Sequence, residues 1–178
     1  MKHVALSLLI VFLGCNRTES GSTANDTAPS ATDTSVPQGD LEFAQTVAMA
    51  NLCEIKAGQF AIEKTTNPKY KEFAQIMVAQ HTEILAALEK IARDQHFTQP
   101  DKLDGEFLTL YETLTTTADG QFDDVYREQM ISTHISALML FSKEAYSGKD
   151  PELKKFAEKW MPTIEHHLQM ATALPACT

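Results

Sequence analysis

The chain has 178 residues, of which 43% are hydrophobic and 8% aromatic, so it is long enough for one domain with a substantial core but short for two. Its 15 Lys and Arg are outnumbered by 24 Asp and Glu, which gives a formal net charge of -9. Because no basic cluster is present to contact phosphates, nucleic acid is excluded as an expected partner.

The chain begins with an apolar run, residues 4–13, that is typical of a signal-peptide core. The run is too short for a membrane-spanning helix, which needs roughly 20 residues. It ends in Gly14-Cys15, which resembles the bacterial lipoprotein box, although Phe12 stands where that box usually has Leu. The resemblance implies removal of residues 1–14 and acylation of Cys15, whose lipid would hold the protein at a membrane surface. The alternative is an ordinary secretory signal with an incidental Cys, and both alternatives predict export into the bacterial cell envelope.

The next segment, residues 16–39, consists mainly of small and polar residues, with Val36 as its one large aliphatic residue. Such a composition cannot bury enough apolar surface to offset the entropy lost on ordering. We therefore predict that residues 15–39 form a flexible, lipidated tether.

From Asp40 onward apolar residues recur at spacings of three and four, which predicts an all-α four-helix bundle over residues 40–174 and a tail at 175–178. Asp40 is the expected N-cap of the first helix, and Asp150-Pro151 is the expected start of the last. Pro162 predicts a bend or a free carbonyl. The short third helix is a connector, and either a crossover or an up-down topology is compatible with it. The predicted helices span residues 40–66, 69–95, 102–117, 121–147 and 151–174.

Each long helix has one ionisable residue within its apolar stripe: Glu54, His81, His134 and His167. In an antiparallel hairpin, residues equally far from the turn lie at the same height. Glu54 and His81 are equally far from the Asn67-Pro68 turn. His134 and His167 are equally far from the turn at residues 150–151. We therefore expect all four side chains to converge on one layer of the core.

One carboxylate with three imidazoles is a suitable ligand set for a single zinc, iron, manganese or copper ion. A ferritin-type di-iron site is not expected, because it needs Glu-x-x-His on two helices. The residues three before the histidines are instead Val78, Ile131 and Ile164. The alternative is a buried polar network without metal, in which one protonated His neutralises the Glu.

Three methionines lie within a turn of these histidines: Met77, Met130 and Met170. If the connector crosses over, all three sulfurs fall in one layer next to the imidazoles. Imidazole with thioether favours copper, especially Cu(I), whereas the simpler interpretation is flexible core packing. His166 points about 100° away from His167 around the helix and is expected either to be exposed or to lie just outside the ligand set.

The remaining cysteines and acids have no predicted role in the site. Cys53 and Cys177 are expected to lie far apart and to remain free thiols. The acids Glu63, Glu72 and Glu144 lie nearer the hairpin ends and are expected at the surface or as partners across a hairpin.

Several segments resemble the bacterial domain of unknown function 4142 family. They are Ala57–Ala61 with Asn67-Pro68, Phe73–His81, Phe122–Tyr126, His134, Gly148–Lys154 and Pro162–Leu168. The resemblance covers residues 40–174 and implies a ferritin-like bundle that is exported or in the outer membrane, with Glu54 and the three His as equivalent positions. Gln80 departs from it, since the family often has Asp there. The resemblance implies no substrate.

The sequence is compatible with two functions of different classes. The first is an envelope lipoprotein whose bundle sequesters, buffers or senses a transition metal. The second is a non-catalytic interaction module that engages another envelope protein and has a metal-free polar network at its core. Catalysis by a bound metal is less favoured, because the sequence indicates neither a separate general base nor a substrate pocket.

Overall fold

The computed structural model describes residues 35–176. It has five α-helices, and the prediction of an all-α, ferritin-like four-helix bundle with one short extra helix is confirmed. The predicted signal peptide, Cys15, most of the tether and Cys177 lie outside the described residues. Within the described part, no helix is both long enough and apolar enough to cross a membrane. The helices are α1 (Gln38–Lys64), α2 (Pro68–Asp94), α3 (Gly105–Thr116), α4 (Asp119–Ser147) and α5 (Pro151–Ala173).

The connection through α3 is a crossover. The ring of Phe43, near the start of α1, lies 5.4 Å from that of Phe141, near the end of α4, so α1 and α4 are antiparallel. At the start of α2, Phe73 lies 6.0 Å from Tyr126, near the start of α4. Helices α2 and α4 therefore run in the same direction, and α3 packs on α1 and α4 as it joins them.

The helix ends explain how the two hairpins meet. The Asp150 side chain accepts hydrogen bonds from the backbone N–H groups of Glu152 and Leu153, which confirms it as the N-cap of α5. The prediction that Asp40 caps α1 is wrong, because α1 begins earlier, after Pro37. Asp40 is buried within the first turn instead, and its carboxylate accepts the backbone N–H of Lys149 at 2.8 Å. It therefore joins the start of α1 to the α4–α5 turn.

Two glycines allow close approaches within the bundle. A Cβ on Gly58 would lie 2.7 Å from Val78 Cγ2, so α1 and α2 approach each other closely there. A Cβ on Gly148 would collide with Glu144. Glu144 is only 5% exposed, so the expectation of a surface position is wrong for this acid, which lies under the α4–α5 turn. Helix α5 continues through Pro162.

Within residues 35–176 the core consists of two apolar clusters, and buried polar residues lie between them on the four long helices. The upper cluster, near the α4–α5 turn, includes Phe43, Val47, Ile84, Leu88, Phe141, Leu153 and Phe156. The lower cluster, near the α1–α2 turn, includes Ala57, Tyr70, Phe73, Met77, Phe122, Tyr126 and Met130. Burying each large apolar side chain contributes about 1.5–3 kcal/mol, so the clusters hold the polar layer in place.

Candidate metal centre

The three predicted histidines meet in the layer between the two clusters. His81, His134 and His167 are 4%, 1% and 0% exposed. One ring nitrogen of each lies within 4.8 Å of one ring nitrogen of the other two. A zinc–nitrogen bond of about 2.0–2.1 Å puts the ligands of a tetrahedral site about 3.4 Å apart, so the rings need only a small inward movement. The imidazoles are close enough to hold one metal ion.

Hydrogen bonds to protein oxygens orient two of the rings. His81 Nδ1 lies 2.9 Å from Asn51 Oδ1, and the Asn51 amide donates its own N–H to the Val47 carbonyl at 2.7 Å. His134 Nδ1 lies 2.7 Å from the Met130 carbonyl oxygen, which can only accept. Both imidazoles therefore donate from Nδ1, and in the neutral form of each ring the lone pair is on Nε2.

The third ring, His167, donates its hydrogen bond from Nε2 instead of Nδ1. His167 Nε2 lies 2.5 Å from the side-chain oxygen of Gln80, so it donates there and leaves the lone pair on Nδ1. The remaining nitrogens, His81 Nε2, His134 Nε2 and His167 Nδ1, are buried and have no hydrogen-bond partner among residues 35–176. Metal-binding histidines have this pattern, with one N–H given to a protein oxygen and one lone pair free.

Burial favours the neutral form of the His81 and His167 imidazoles. Desolvation, with the neighbouring His134 and His167, lowers the pKa of His81 well below its ordinary value. Desolvation, followed by His134 and His166, lowers the pKa of His167 to about 3. Neutral imidazole is the form that binds metal, so these two rings are ready to do so at neutral pH.

Glu54 lies beside this cluster. It is 6% exposed and is not in the group whose ligand atoms lie within 4.8 Å of one another. Its Oε1 accepts the Thr133 hydroxyl at 2.7 Å, while its Oε2 has no partner within the described part of the chain. Desolvation raises the pKa of Glu54, and the charge interaction with His134 acts against that rise. Nearby, burial raises the pKa of Tyr126 and Glu54 adds to the effect.

The three methionines lie on one side of the histidine layer. Met77 and Met130 belong to the lower cluster, and Met170 packs against it. The sequence predicts that the three methionines share one layer if the connection crosses over, and the connection through α3 is a crossover. His166 is exposed, which is the first of its two predicted positions.

A cavity of about 620 Å³ reaches the cluster from the side, between α1, α3 and α4. Both His81 and His134 line it, as does Glu54, whereas His167 does not. Cys53 also lines it, as a free, buried thiol that donates a hydrogen bond to the Phe107 carbonyl. Burial, with a smaller contribution from Glu54, raises the Cys53 pKa to about 12, which favours the protonated thiol at neutral pH.

Several residues around the cluster were not predicted as part of the site. Asn51 lies three residues before Glu54 and so on the same face of α1, which is the signal that could have identified it. Thr133 and Gln80 each precede a predicted histidine by one residue, and nothing in that position foretells their hydrogen bonds. The cavity is the largest omission, because it depends on how α3 lies across α1 and α4.

Comparisons with known proteins agree on the fold. The model of the family described as Domain of unknown function (DUF4142) matches residues 25–174. The chain is similar to the crystal structure of a DUF305 fragment from Deinococcus radiodurans, with a TM-score of 0.68 and 12% identity over 77% of this chain and 95% of that one. At this identity the likeness concerns the fold alone. No curated protein matches the chain.

Proposed function

We propose a metal-binding function for this chain, which belongs to the family described as Domain of unknown function (DUF4142). In this proposal His81, His134 and His167 hold one transition-metal ion inside the bundle, and Glu54 lies beside it as a fourth ligand or as a counter-charge. The protein sequesters, buffers or senses that metal.

One observation is the main support. Four buried atoms in this layer have no hydrogen-bond partner among the described residues: three imidazole nitrogens and Glu54 Oε2. Given the ring orientations set by Asn51, Met130 and Gln80, all three free nitrogens are acceptors when the rings are neutral. Acceptors cannot satisfy one another, and an unpaired buried polar group costs about 1–3 kcal/mol. A cation is the partner that satisfies all of them at once.

The metal-free polar network is a poorer explanation of the same contacts. It requires a protonated histidine to neutralise Glu54, but the hydrogen-bond partner of Glu54 is Thr133. The pKa values of His81 and His167 are lowered, so protonating either of them at neutral pH is unfavourable. The metal-free network therefore depends on His134, which has no hydrogen bond to Glu54: its Nδ1 bonds the Met130 carbonyl, and its Nε2 has no partner among residues 35–176.

The ligand set narrows the identity of the ion. Three imidazoles suit zinc, copper or iron, and a carboxylate beside them also allows manganese. Met77, Met130 and Met170 are the soft ligands that would favour copper if the ion moved toward the lower cluster. With three protein ligands a position on the ion stays open.

We also propose that the bundle is held at an envelope membrane through an acylated Cys15, as the lipoprotein-box resemblance implies. This proposal concerns residues outside the described part of the chain and rests on the sequence. Mass spectrometry of the protein from bacterial membranes tests it, since a mature chain that begins at an unacylated residue other than Cys15 contradicts it.

The metal proposal is tested by titrating chelator-free protein with Zn²⁺ or Cu⁺ against a chromophoric competitor. We expect one ion per chain for the wild type and for His166→Ala, a control whose exposed side chain lies next to His167. The double variant His81→Ala/His134→Ala removes two of the three clustered nitrogens and is expected to lose stoichiometric binding. Equal binding by the double variant and the wild type would overturn the proposal.

A further inference from the structure

The cavity beside the histidines has the build of a small-molecule site. Its volume of about 620 Å³ is within the range of ligand pockets, which is about 300–1,000 Å³. Polar, exposed residues line its mouth: Thr46, Glu106, Thr109, Ser132 and Ser136. Its walls are mainly apolar and include Ala50, Phe107, Leu110, Ala137 and Leu140. Such a pocket suits a ligand with an apolar body.

The inner end of the cavity is different in character. His81, His134 and Glu54 line it, and all three are buried. His167 belongs to the same cluster but does not line the cavity. If the three imidazoles hold a metal ion and Glu54 acts as its counter-charge, the open position of the ion faces the cavity.

The charges around the cavity indicate what binds there. Glu54 and Glu106 are its two acids, and no Lys or Arg of residues 35–176 lines it. A divalent ion at the imidazoles brings two positive charges. The buried carboxylate of Glu54 at the inner end offsets one of them, whereas Glu106 is exposed at the mouth, where water screens its charge. One positive charge then remains in an apolar environment, where unneutralised charge is costly.

We propose that this cavity binds an apolar molecule with a single anionic oxygen head, such as a medium-chain carboxylate, whose head occupies the open position of the metal. The inference rests on the proposed metal site and adds a ligand class to it. The bundle then recognises a small organic anion by way of its metal, with α3 forming one wall of the pocket.

The test uses the whole mature protein loaded with Co²⁺, whose visible absorption bands respond to its ligands, and decanoate as the probe. Decan-1-ol, which has the same chain and no charge, is titrated in parallel. We expect decanoate to shift the cobalt bands in a saturable way, with at least tenfold tighter binding than decan-1-ol. Bound cobalt is measured in every sample.

Two variants fill the cavity from opposite walls: Ala50→Phe on α1 and Ala137→Phe on α4. Each is expected to weaken decanoate binding at least tenfold while one cobalt per chain is retained. Ala86→Phe, at an exposed position of α2 that does not line the cavity, is the matched control and keeps both. Using two variants guards against one that fails to fold.

The possible outcomes test the ligand pocket and the metal site separately. Full cobalt loading with bands that decanoate does not shift overturns the pocket inference and leaves the metal site standing. Equal binding of decanoate and decan-1-ol overturns the contact between anion and metal. A wild type that takes up no cobalt overturns the pocket inference, and the titration with Zn²⁺ and Cu⁺ then decides separately whether the metal site stands.

Discussion

The Nδ1 atom of His134 lies 2.7 Å from the carbonyl oxygen of Met130, one turn earlier on α4. A carbonyl accepts only, so this contact puts a proton on Nδ1, and in the neutral ring the lone pair is on Nε2, which has no partner within residues 35–176. A backbone carbonyl of the same helix thus orients the His134 ring so that Nε2 can bind a cation. His81 and His167 make the equivalent hydrogen bonds to the side chains of Asn51 and Gln80, which can be replaced by mutation.

Asn51 supplies the acceptor for His81, so replacing it tests this contact. We expect Asn51→Leu to lower metal affinity about 10–100-fold, because the ring loses the oxygen that fixes its orientation. Asn51→Asp retains an acceptor and should bind metal more tightly than Asn51→Leu. Competition titrations measure both constants. Equal affinities for Asn51→Leu and the wild type would show that the contact does not matter.

A bound metal should also stabilise the fold. At a free metal concentration of 100 times Kd the native state gains about 2.7 kcal/mol, which corresponds to a rise in Tm of about 8 °C for a domain of this size. Thermal unfolding followed by circular dichroism, with metal and with chelator, gives the difference. His81→Ala/His134→Ala should show no such rise. A rise of the same size in that variant would place the metal elsewhere.

The α1–α2 contact at Gly58 makes a prediction independent of metal. Gly58→Ala should destabilise the fold by about 1–3 kcal/mol, because the new Cβ meets the stiff side chain of Val78. Adding Val78→Ala should recover part of that loss. Gly120→Ala is the control, since nothing lies within 4 Å of its Cβ. Chemical denaturation measures all four proteins. An unchanged stability for Gly58→Ala would disprove the close contact.

Glu144 predicts a pH dependence. Desolvation, then Asp40 and Asp150, raise its pKa from 4.5 to about 7. A raised pKa means that the folded state holds the proton more tightly, so this group favours folding at low pH. That contribution declines as the pH rises from about 4.5 through about 7.

Glu144→Gln removes this titration. Its free energy of unfolding relative to wild type should therefore increase between pH 5 and pH 8, as urea denaturation at each pH will show. The exposed Glu128 on the same helix is the control, and Glu128→Gln should run parallel to wild type. A Glu144→Gln curve that also runs parallel to wild type contradicts the assignment.

Much of the fold could be predicted from the sequence because helix periodicity and turn residues are local signals. The Asp150-Pro151 start of α5 is an example, since one side chain caps two N–H groups of its own helix. Asp40 shows the limit of such local signals. Its partners, the N–H groups of Lys149 and Asp150, lie more than a hundred residues away, and a local capping pattern cannot anticipate them.

In the candidate site too, features set by local signals could be predicted and features set by long-range packing could not. The three histidines could be placed in one layer because equal distances from a turn give equal heights in a hairpin. Glu54 obeys the same rule and is buried at the cluster, but its orientation toward Thr133 depends on how α1 and α4 face each other. The cavity needs the position of α3 as well, and a short connector leaves that position open in sequence.

X-ray absorption spectroscopy of the metal-loaded wild type tests the central claim most directly, because it reports the atoms bound to the ion. The account predicts a first shell with three imidazoles, contributed by His81, His134 and His167, and the loss of that shell in His81→Ala/His134→Ala. Sulfur in the shell would add a methionine to the ligands. A shell of oxygen atoms alone, unchanged in the double variant, would contradict the account.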